Sequence, residues 1–511
     1  LVDCGMEQGN DVYENQELPI AASDVDCILL THAHIDHSGL IPLMYVNGFR
    51  GQVYSTSATA QLCEIMLRDS AHIQMFEAEW RNRKAARSGG KLKEFVPLYD
   101  MDAAVNVCKQ FVGCEYDRVY DIAEGIKIRF TDVGHLLGSA SIEVWATEKT
   151  ENGDVTEKIV FSGDIGNINK PIIKDPKHVR DADYVVMEST YGNRSHGGTP
   201  NYVEDLTDIF KRTFERGGNV VIPSFAVGRT QELLYIIRKI KEDNLVGRDF
   251  DVYMDSPLAI EATNIFIKNV ESCFDDEAVE LVRKGINPLS FPGLKYATTG
   301  DESKQINFDP NPKVIISSSG MCEAGRIRHH LKHNLWRPEC TIVFVGYQAV
   351  GTTGRIIVDG AEEIKLFGEP IQIKAEIVQL KGSSGHADKD GLLCWINAFD
   401  TKPKKVFVVH GEDSVCDEFT ECLKEEYGYD AMAPYTGGSY DLIADRVISE
   451  GVKERKTRRT TSTQRGKTVF DRLVAAGKRL MTVITHNEGG TNKDLAKFTD
   501  QINALCDKWD R

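Results

Sequence analysis

No stretch of the 511 residues reaches the roughly 20 consecutive apolar residues of a membrane-spanning helix, so no membrane association is expected. No leader-like segment precedes Leu1 either, and the chain opens directly on an apolar run and a turn, Leu-Val-Asp-Cys-Gly. Paired cysteines are also missing. The 12 cysteines stand singly from Cys4 to Cys506 with no Cys-x-x-Cys, which argues against a zinc ribbon or a redox motif and for buried thiols in a reducing cytoplasm. An excess of basic charge is lacking as well. With 61 Lys and Arg against 77 Asp and Glu the net charge is −16, so the surface as a whole is unsuited to holding a polyanion. Any nucleic-acid site must then be a local basic groove or depend on metal ions. What is present is a globular composition, 41% hydrophobic and 27% charged, on a chain too long for one core.

The densest chemistry lies at residues 28–39, Ile-Leu-Leu-Thr-His-Ala-His-Ile-Asp-His-Ser-Gly. An apolar run, Ile28 to Leu30, predicts a buried strand ending in a turn that carries His32, His34, Asp36 and His37. Alternation along an extended backbone puts His32 and His34 on one side, with Asp36 and His37 just beyond, so one loop can serve two cations. Burying so much titratable chemistry beside an apolar strand is costly unless a cation compensates it.

Around this loop the chain reads as strands and one long helix. Asp3, before Gly5, is either a turn residue or a partner of the histidine loop. A helix starts after Gly39 and a short strand covers 51–55; residues 58–87 place Leu62, Ile65, Met66, Ile73 and Phe76 at helical spacing. Strands are expected at 126–131, 141–146 and 158–161. His135 sits in a Gly-flanked loop between two of them, and Asp164 follows the third in Ser-Gly-Asp-Ile-Gly. A carboxylate there is a plain turn residue or, with its two oxygens, a bridge between two cations.

From about residue 195 a strand–loop–helix plan appears three times, with strands at 219–222, 250–254 and 314–316, and a further strand follows at 341–346. This implies a second domain, 195–370, built on a parallel sheet with helices against it. Its third loop, with Ser318, Ser319 and Gly320, enters a helix expected from about Cys322 to His333 that bears Arg326 and Arg328. That is either an anion site or an ordinary connection with a solvated basic face. After 370 strands return: Ile371 to Leu380, then a loop with His386, a helix, and Lys405 to Val409 running into His410. The second domain is therefore inserted in the first, whose parts are 1–194 and 371–450. Residues 451–511 begin as a basic, Ser/Thr-rich linker. Leu495, Phe498, Ile502, Leu505 and Trp509 then share a helical face that could dock on the body, hold RNA, or pair two subunits as a homodimer.

The His-x-His-x-Asp-His pattern resembles the metal signature of the metallo-β-lactamase superfamily. With Asp164, Glu188, His386 and His410 in order, residues 1 to about 445 resemble its β-CASP branch, the nucleases that include the endonuclease of pre-mRNA 3′-end cleavage, RNase J and prokaryotic relatives. The resemblance implies an α/β fold: an αββα metallo-β-lactamase sandwich with an inserted β-CASP domain. It implies two Zn²⁺ ions, one held by His32, His34, His135 and Asp164, the other by Asp36, His37, Asp164 and His410. Asp3 would orient the histidine loop, and Asp36, Glu188 and His386 would carry catalysis, with His386 as proton donor. A histidine at 410 is similar to the RNA-processing members. Ser318 to Met321, Gly325-Arg326 and His329 to Leu331 are similar to the cleavage-factor-like endonucleases, and Ser318, Ser319, Gly320, Arg326 and Arg328 are expected to contact RNA. The family begins with a further strand or two before Asp3, so these are expected to be missing. The implied function is a zinc-dependent endoribonuclease on single-stranded RNA; the alternatives are a 5′-exoribonuclease, a small-molecule ester or lactone hydrolase, and a noncatalytic RNA-processing scaffold.

Overall fold

Short apolar runs between turn residues become strands, and among the described residues their pairing gives five sheets, the three largest of which position the site. The computed structural model describes residues 1–7, 20–87, 95–151, 153–195, 197, 201–380, 384–453 and 469–509. The expected basic linker from Arg455 to Lys467 lies outside the described residues.

The first sheet is parallel, β1 (Cys27–Leu29), β2 (Gln52–Thr56) and β3 (Phe111–Cys114), in that order, with Val2 bridging to Leu29 at its edge. The second has seven strands. β4 (Val119–Ala123), β5 (Ile126–Asp132), β6 (Ala140–Thr150) and β7 (Gly153–Phe161) form an antiparallel meander, and β8 (Tyr184–Glu188) adds parallel to β7. The inner faces of the two sheets meet through Leu29, Cys114, Ile128, Phe130 and Ile142. Outside the first sheet, Ile28 and Val53 join Leu62 of the helix Ser57–Arg87. Outside the second, Val160, Val185 and Met187 pack with Trp395 and Phe419 of the helices Lys389–Ile396 and Asp413–Glu425. These are the four layers of an αββα sandwich. The long helix is buried mainly along its first half: Ile73 and Phe76 stand exposed despite their helical spacing, as does Trp80, while Ala78 is still covered.

The inserted domain has a six-stranded, all-parallel sheet. It contains β9 (Val220–Pro223), β10 (Asp251–Asp255), β11 (Leu294–Tyr296), β12 (Lys313–Ser317) and β13 (Thr341–Val345). The segment 371–380, expected as one strand of the first domain, divides. β14 (Glu363–Leu366) and β15 (Glu369–Gln372) make a separate hairpin, and β16 (Glu376–Leu380) pairs parallel with β13, carrying the inserted sheet past residue 370. The sheet order is β11-β10-β12-β9-β13-β16. The helix expected from Cys322 begins at Ile327, because Met321–Gly325 turns back on itself with Cys322 at φ 64° and Gly325 at φ 81°.

The chain then returns to the sandwich. β17 (Lys405–Val409) lies parallel beside β8, with Val409 opposite Glu188, and β18 (Ala431–Met432) closes the sheet. One apolar cluster runs through both domains and includes Leu136 and Leu137 from one, Leu233 and Leu234 from the other. Each such buried side chain stabilises the junction by about 2 kcal/mol.

Candidate metal centre

Strand ends deliver the polar groups, because a parallel or mixed sheet presents its C-terminal edge loops together. β1 leads into His32, His34, Asp36 and His37; β5 into His135; β7 into Asp164; β8 ends at Glu188; β17 leads into His410. His386 arrives on the loop after β16, fixed on both sides: it bridges to Gly166, and two residues on Asp388 accepts a hydrogen bond from Gly391 N (3.0 Å), capping the next helix.

Asp164 stands between two groups of side chains. Its Oδ2 lies 3.3 Å from His32 Nε2 and 3.4 Å from His135 Nε2; its Oδ1 lies 3.2 Å from both His37 Nε2 and His410 Nε2. His34 turns Nδ1 inward, 3.1 Å from the Nε2 atoms of His32 and His135. The donor atoms of His32, His34, His135 and Asp164 are all within 4.8 Å of one another, as are those of Asp36, His37 and His410. Gly163 makes this possible. It adopts φ 58°, and a Cβ there would sit 2.9 Å from Thr31 Cβ.

The far side of each ring fixes which nitrogen faces the centre. Asp3 accepts from Thr31 N and Thr31 Oγ1 (both 2.8 Å) and from His37 Nδ1 (2.7 Å). With its own proton given to Asp3, Thr31 Oγ1 accepts from His32 Nδ1 (3.0 Å). His135 Nδ1 donates to the Gly385 carbonyl (3.1 Å). Each of these three histidines thereby turns Nε2 towards Asp164, and although burial opposes charge on His37, Asp164 and Asp3 outweigh it and raise that imidazole well above its ordinary pKa. Burial pushes the His32, His34 and His135 imidazoles below their ordinary pKa, keeping them in the neutral form a cation requires.

The residues fit two cations. Among the described residues His37 Nε2 and Asp164 Oδ1 are buried, 3.2 Å apart, and without a hydrogen-bond partner. Polar atoms of this kind are rarely left so unless an ion satisfies them. Nitrogen donors with two carboxylates suit zinc or a similar borderline metal.

Beside this centre, Glu188 is buried, accepts from Ile165 N (2.6 Å), and lies 3.2 Å from His386 Nδ1. His386 Nε2 is 3.8 Å from Asp164 Oδ2. Burial opposes charge on His386, but Glu188 and Asp164 outweigh it and raise the imidazole to about 9. Tyr191, on the polar loop after β8, brings its ring to 6.1 Å from that of His386 and carries the Arg194 guanidinium 4.6 Å above it. Sequence reasoning passed over Tyr191 and Thr31, whose only signals were their places next to Glu188 and His32.

The residues expected to contact RNA lie on one loop of the inserted domain and the helix it enters, and several of them are engaged there by the protein itself. Ser318 Oγ donates to Ser256 Oγ (3.1 Å), Ser319 Oγ to the Ala324 carbonyl (3.3 Å), and Gly320 lies under the exposed Phe225 ring at the C-terminal edge of the inserted sheet. Arg326 is engaged within the inserted domain. Its guanidinium turns inward to Asp255 Oδ1 (2.7 Å) and the carbonyls of Ala297 (3.0 Å) and Thr298 (2.8 Å), because a fully buried carboxylate needs donors, and His330 Nε2 lies 2.6 Å from the other Asp255 oxygen. Arg328 lies over the Phe367 ring of the β14–β15 hairpin.

Three domain-family models match the chain: a metallo-beta-lactamase superfamily domain at residues 1–167, a Beta-Casp domain at 230–357, and a Zn-dependent metallo-hydrolase RNA specificity domain at 370–434. The chain is 34% identical to "Ribonuclease TTHA0252" of Thermus thermophilus over 414 residues, 81% of this chain and 88% of that one. It is 32% identical to "Transcription termination factor FttA" of Methanosarcina mazei over 449 residues, 85% of this chain and 66% of the relative. An "RNase J-like protein" of Methanocaldococcus jannaschii is 31% identical over 417 residues, 81% and 86% of the two chains.

Proposed function

Because the chain belongs to the β-CASP branch of the metallo-β-lactamase superfamily, a family of hydrolases with ribonucleases among its members, we propose that it is a two-zinc endoribonuclease acting on single-stranded RNA. Asp164 carries the reading: one buried carboxylate faces two separate sets of imidazole nitrogens with its two oxygens. Two bound metal ions supply a nucleophile at neutral pH and neutralise phosphate charge. The chain's own residues do the rest. Asp3, Thr31 and the Gly385 carbonyl orient the rings, and Glu188 holds His386 beside the centre. Water loses one proton to solvent, its oxygen bonds to phosphorus, the bond from phosphorus to the ribose 3′-oxygen breaks, and His386 Nε2 gives its proton to that oxygen and takes another from solvent. The products are a 5′-phosphate and a 3′-hydroxyl.

Asp164, His410 and the β1 loop serve one face of the reaction, and the loops of the inserted sheet form the opposite wall for the strand. No helix among the described residues is long and apolar enough to cross a membrane, and every cysteine is free; a cytoplasmic location is consistent with both. Exposed Leu473, Met481, Leu505 and Trp509 on the last two helices support self-association, which sedimentation across a concentration series tests.

Circular and 5′-labelled single-stranded RNAs, incubated with zinc-loaded protein, test the proposal. Linearisation of the circle is expected. Cleavage confined to linear RNA from its 5′ end would make the protein an exonuclease, and ester hydrolysis with no RNA cleavage would make it a small-molecule hydrolase.

A further inference from the structure

A buried charged junction joins the inserted domain to the metal-binding loops. Lys170 follows the Asp164 loop in the first domain, and its Nζ donates to the main-chain carbonyl of His135 at 3.0 Å. The same Nζ lies 3.2 Å from Glu232 Oε1, in the first turn of the inserted domain's helix Arg229–Glu242. The other Glu232 oxygen is taken by Arg229. All three side chains are 10–14% exposed, so the pairing is shielded from solvent and salt. His135 is held a second time at its ring by the Gly385 carbonyl, and a Cβ at position 385 would lie 3.3 Å from His135 Cε1 and 4.0 Å from Lys170 Nζ. One metal-facing histidine, the segment leading to His386, and the first turn of an inserted-domain helix therefore meet around a single ammonium.

We propose that Lys170 is a positioning residue: it sets His135 towards the metal through the main-chain carbonyl, and Glu232 fixes Lys170, so that the placement of the inserted domain is felt at the metal centre. The physical case rests on where His135 sits. Its loop is flanked by Gly134 and Gly138, both at positive φ, and Ser139 Oγ accepts from His135 N at 3.0 Å, which leaves the far side of that residue, the His135 carbonyl, to be fixed by Lys170. A charge-assisted hydrogen bond to the carbonyl of the ligand residue fixes its orientation, and partners of this kind typically govern metal affinity by about 10- to 100-fold. Glu232 in turn determines where the ammonium can stand. The proposal rests on the metal-binding part of the reading above and not on RNA being the substrate.

Zinc affinity of the full chain, measured by competition with a chromophoric chelator, tests this without any RNA. Lys170→Met and Glu232→Gln are each expected to weaken zinc binding by about 10- to 100-fold. Lys170→Arg, which keeps a cationic donor, should recover part of the loss. The double variant should bind no more weakly than the worse single one, because both changes remove one chain of contacts. Glu242→Gln, at the far end of the same helix, should bind zinc as the unaltered protein does. Zinc affinity within twofold of the unaltered chain in Lys170→Met, with only a lower melting temperature, would reduce Lys170 to a domain tie and overturn the proposal. Additive losses in the double variant would overturn the link to Glu232. If Lys170→Met does not fold, unchanged affinity in Glu232→Gln overturns it equally. An unaltered protein that binds no zinc would instead sink the metal reading itself.

Discussion

Asp3 and His37 are 34 residues apart in the chain, yet Asp3 Oδ2 and His37 Nδ1 are 2.7 Å apart. The same carboxylate holds Thr31, which orients His32, so one side chain aims two rings. Asp3→Ala is expected to lower zinc affinity by about 10- to 100-fold, measured by chelator competition. Undiminished affinity would show that the loop holds its rings unaided.

Asp164→Ala removes the oxygens that face both sets of imidazoles, whereas His410→Ala removes a donor from one. Elemental analysis after dialysis should find the first variant depleted at both sites and the second mainly at one. Equal depletion by both would mean that the sites fill only together.

His386→Ala should lower RNA turnover by about 10²- to 10⁴-fold while zinc content and RNA affinity stay near normal, since an alkoxide leaving group needs a proton. A substrate with sulfur in the 3′-bridging position leaves without one, so the variant should recover most of its rate there. An equal deficit on both substrates would assign His386 to placing the phosphate.

Asp132 gives a prediction for stability. Burial pushes its carboxyl up to about 7, against a hydrogen bond from Gly134 N that favours the charged form. The unfolded chain releases this proton near pH 4, so between pH 4 and about 7 the folded state holds it more tightly, and stability falls as pH rises through that window. Asp132→Asn keeps an acceptor for Gly134 and has no proton to lose. Its melting temperature should gain on the unaltered protein progressively from pH 5 to pH 7 and hold that gain at pH 8. A pH-independent difference would mean that the carboxyl is not the group responsible.

Arg326 tests its revised role. Losing it leaves fully buried Asp255 with His330 and Ser303 but without the guanidinium, which should destabilise the inserted domain by on the order of 2 kcal/mol. Denaturant unfolding measures this. RNA affinity in the folded variant should keep its salt dependence; a flatter salt slope would return Arg326 to the strand-binding surface.

What could be read from the residues alone followed local pattern. The loop at 32–37 and the sequence Ser-Gly-Asp at 164 advertise themselves because ligand spacing, apolar runs and turn residues are short-range properties, and β17 was legible to the residue. Apart from the local turn at 321–325 that delays one helix, where expectation and structure part the deciding contact is distant in sequence. Arg326 turns inward for Asp255, 71 positions earlier. β16 joins the inserted sheet because β13 offers it an edge, and nothing within residues 371–380 states which sheet it will choose. Lys170 and Glu232 were silent for the same reason: a lysine in a loop and a glutamate in a helix acquire meaning only from one another.

The pairing of β17 with β8 also orders events during synthesis. Val409 cannot take its place opposite Glu188 until the ribosome has made the whole inserted domain between them, and closing so long a loop is easier once that domain has compacted. His410 is therefore the last of the metal-facing residues to arrive. A nascent chain released early, or still tethered short of that point, carries most of the histidines but an incomplete candidate centre, so assembly of that centre waits on both domains.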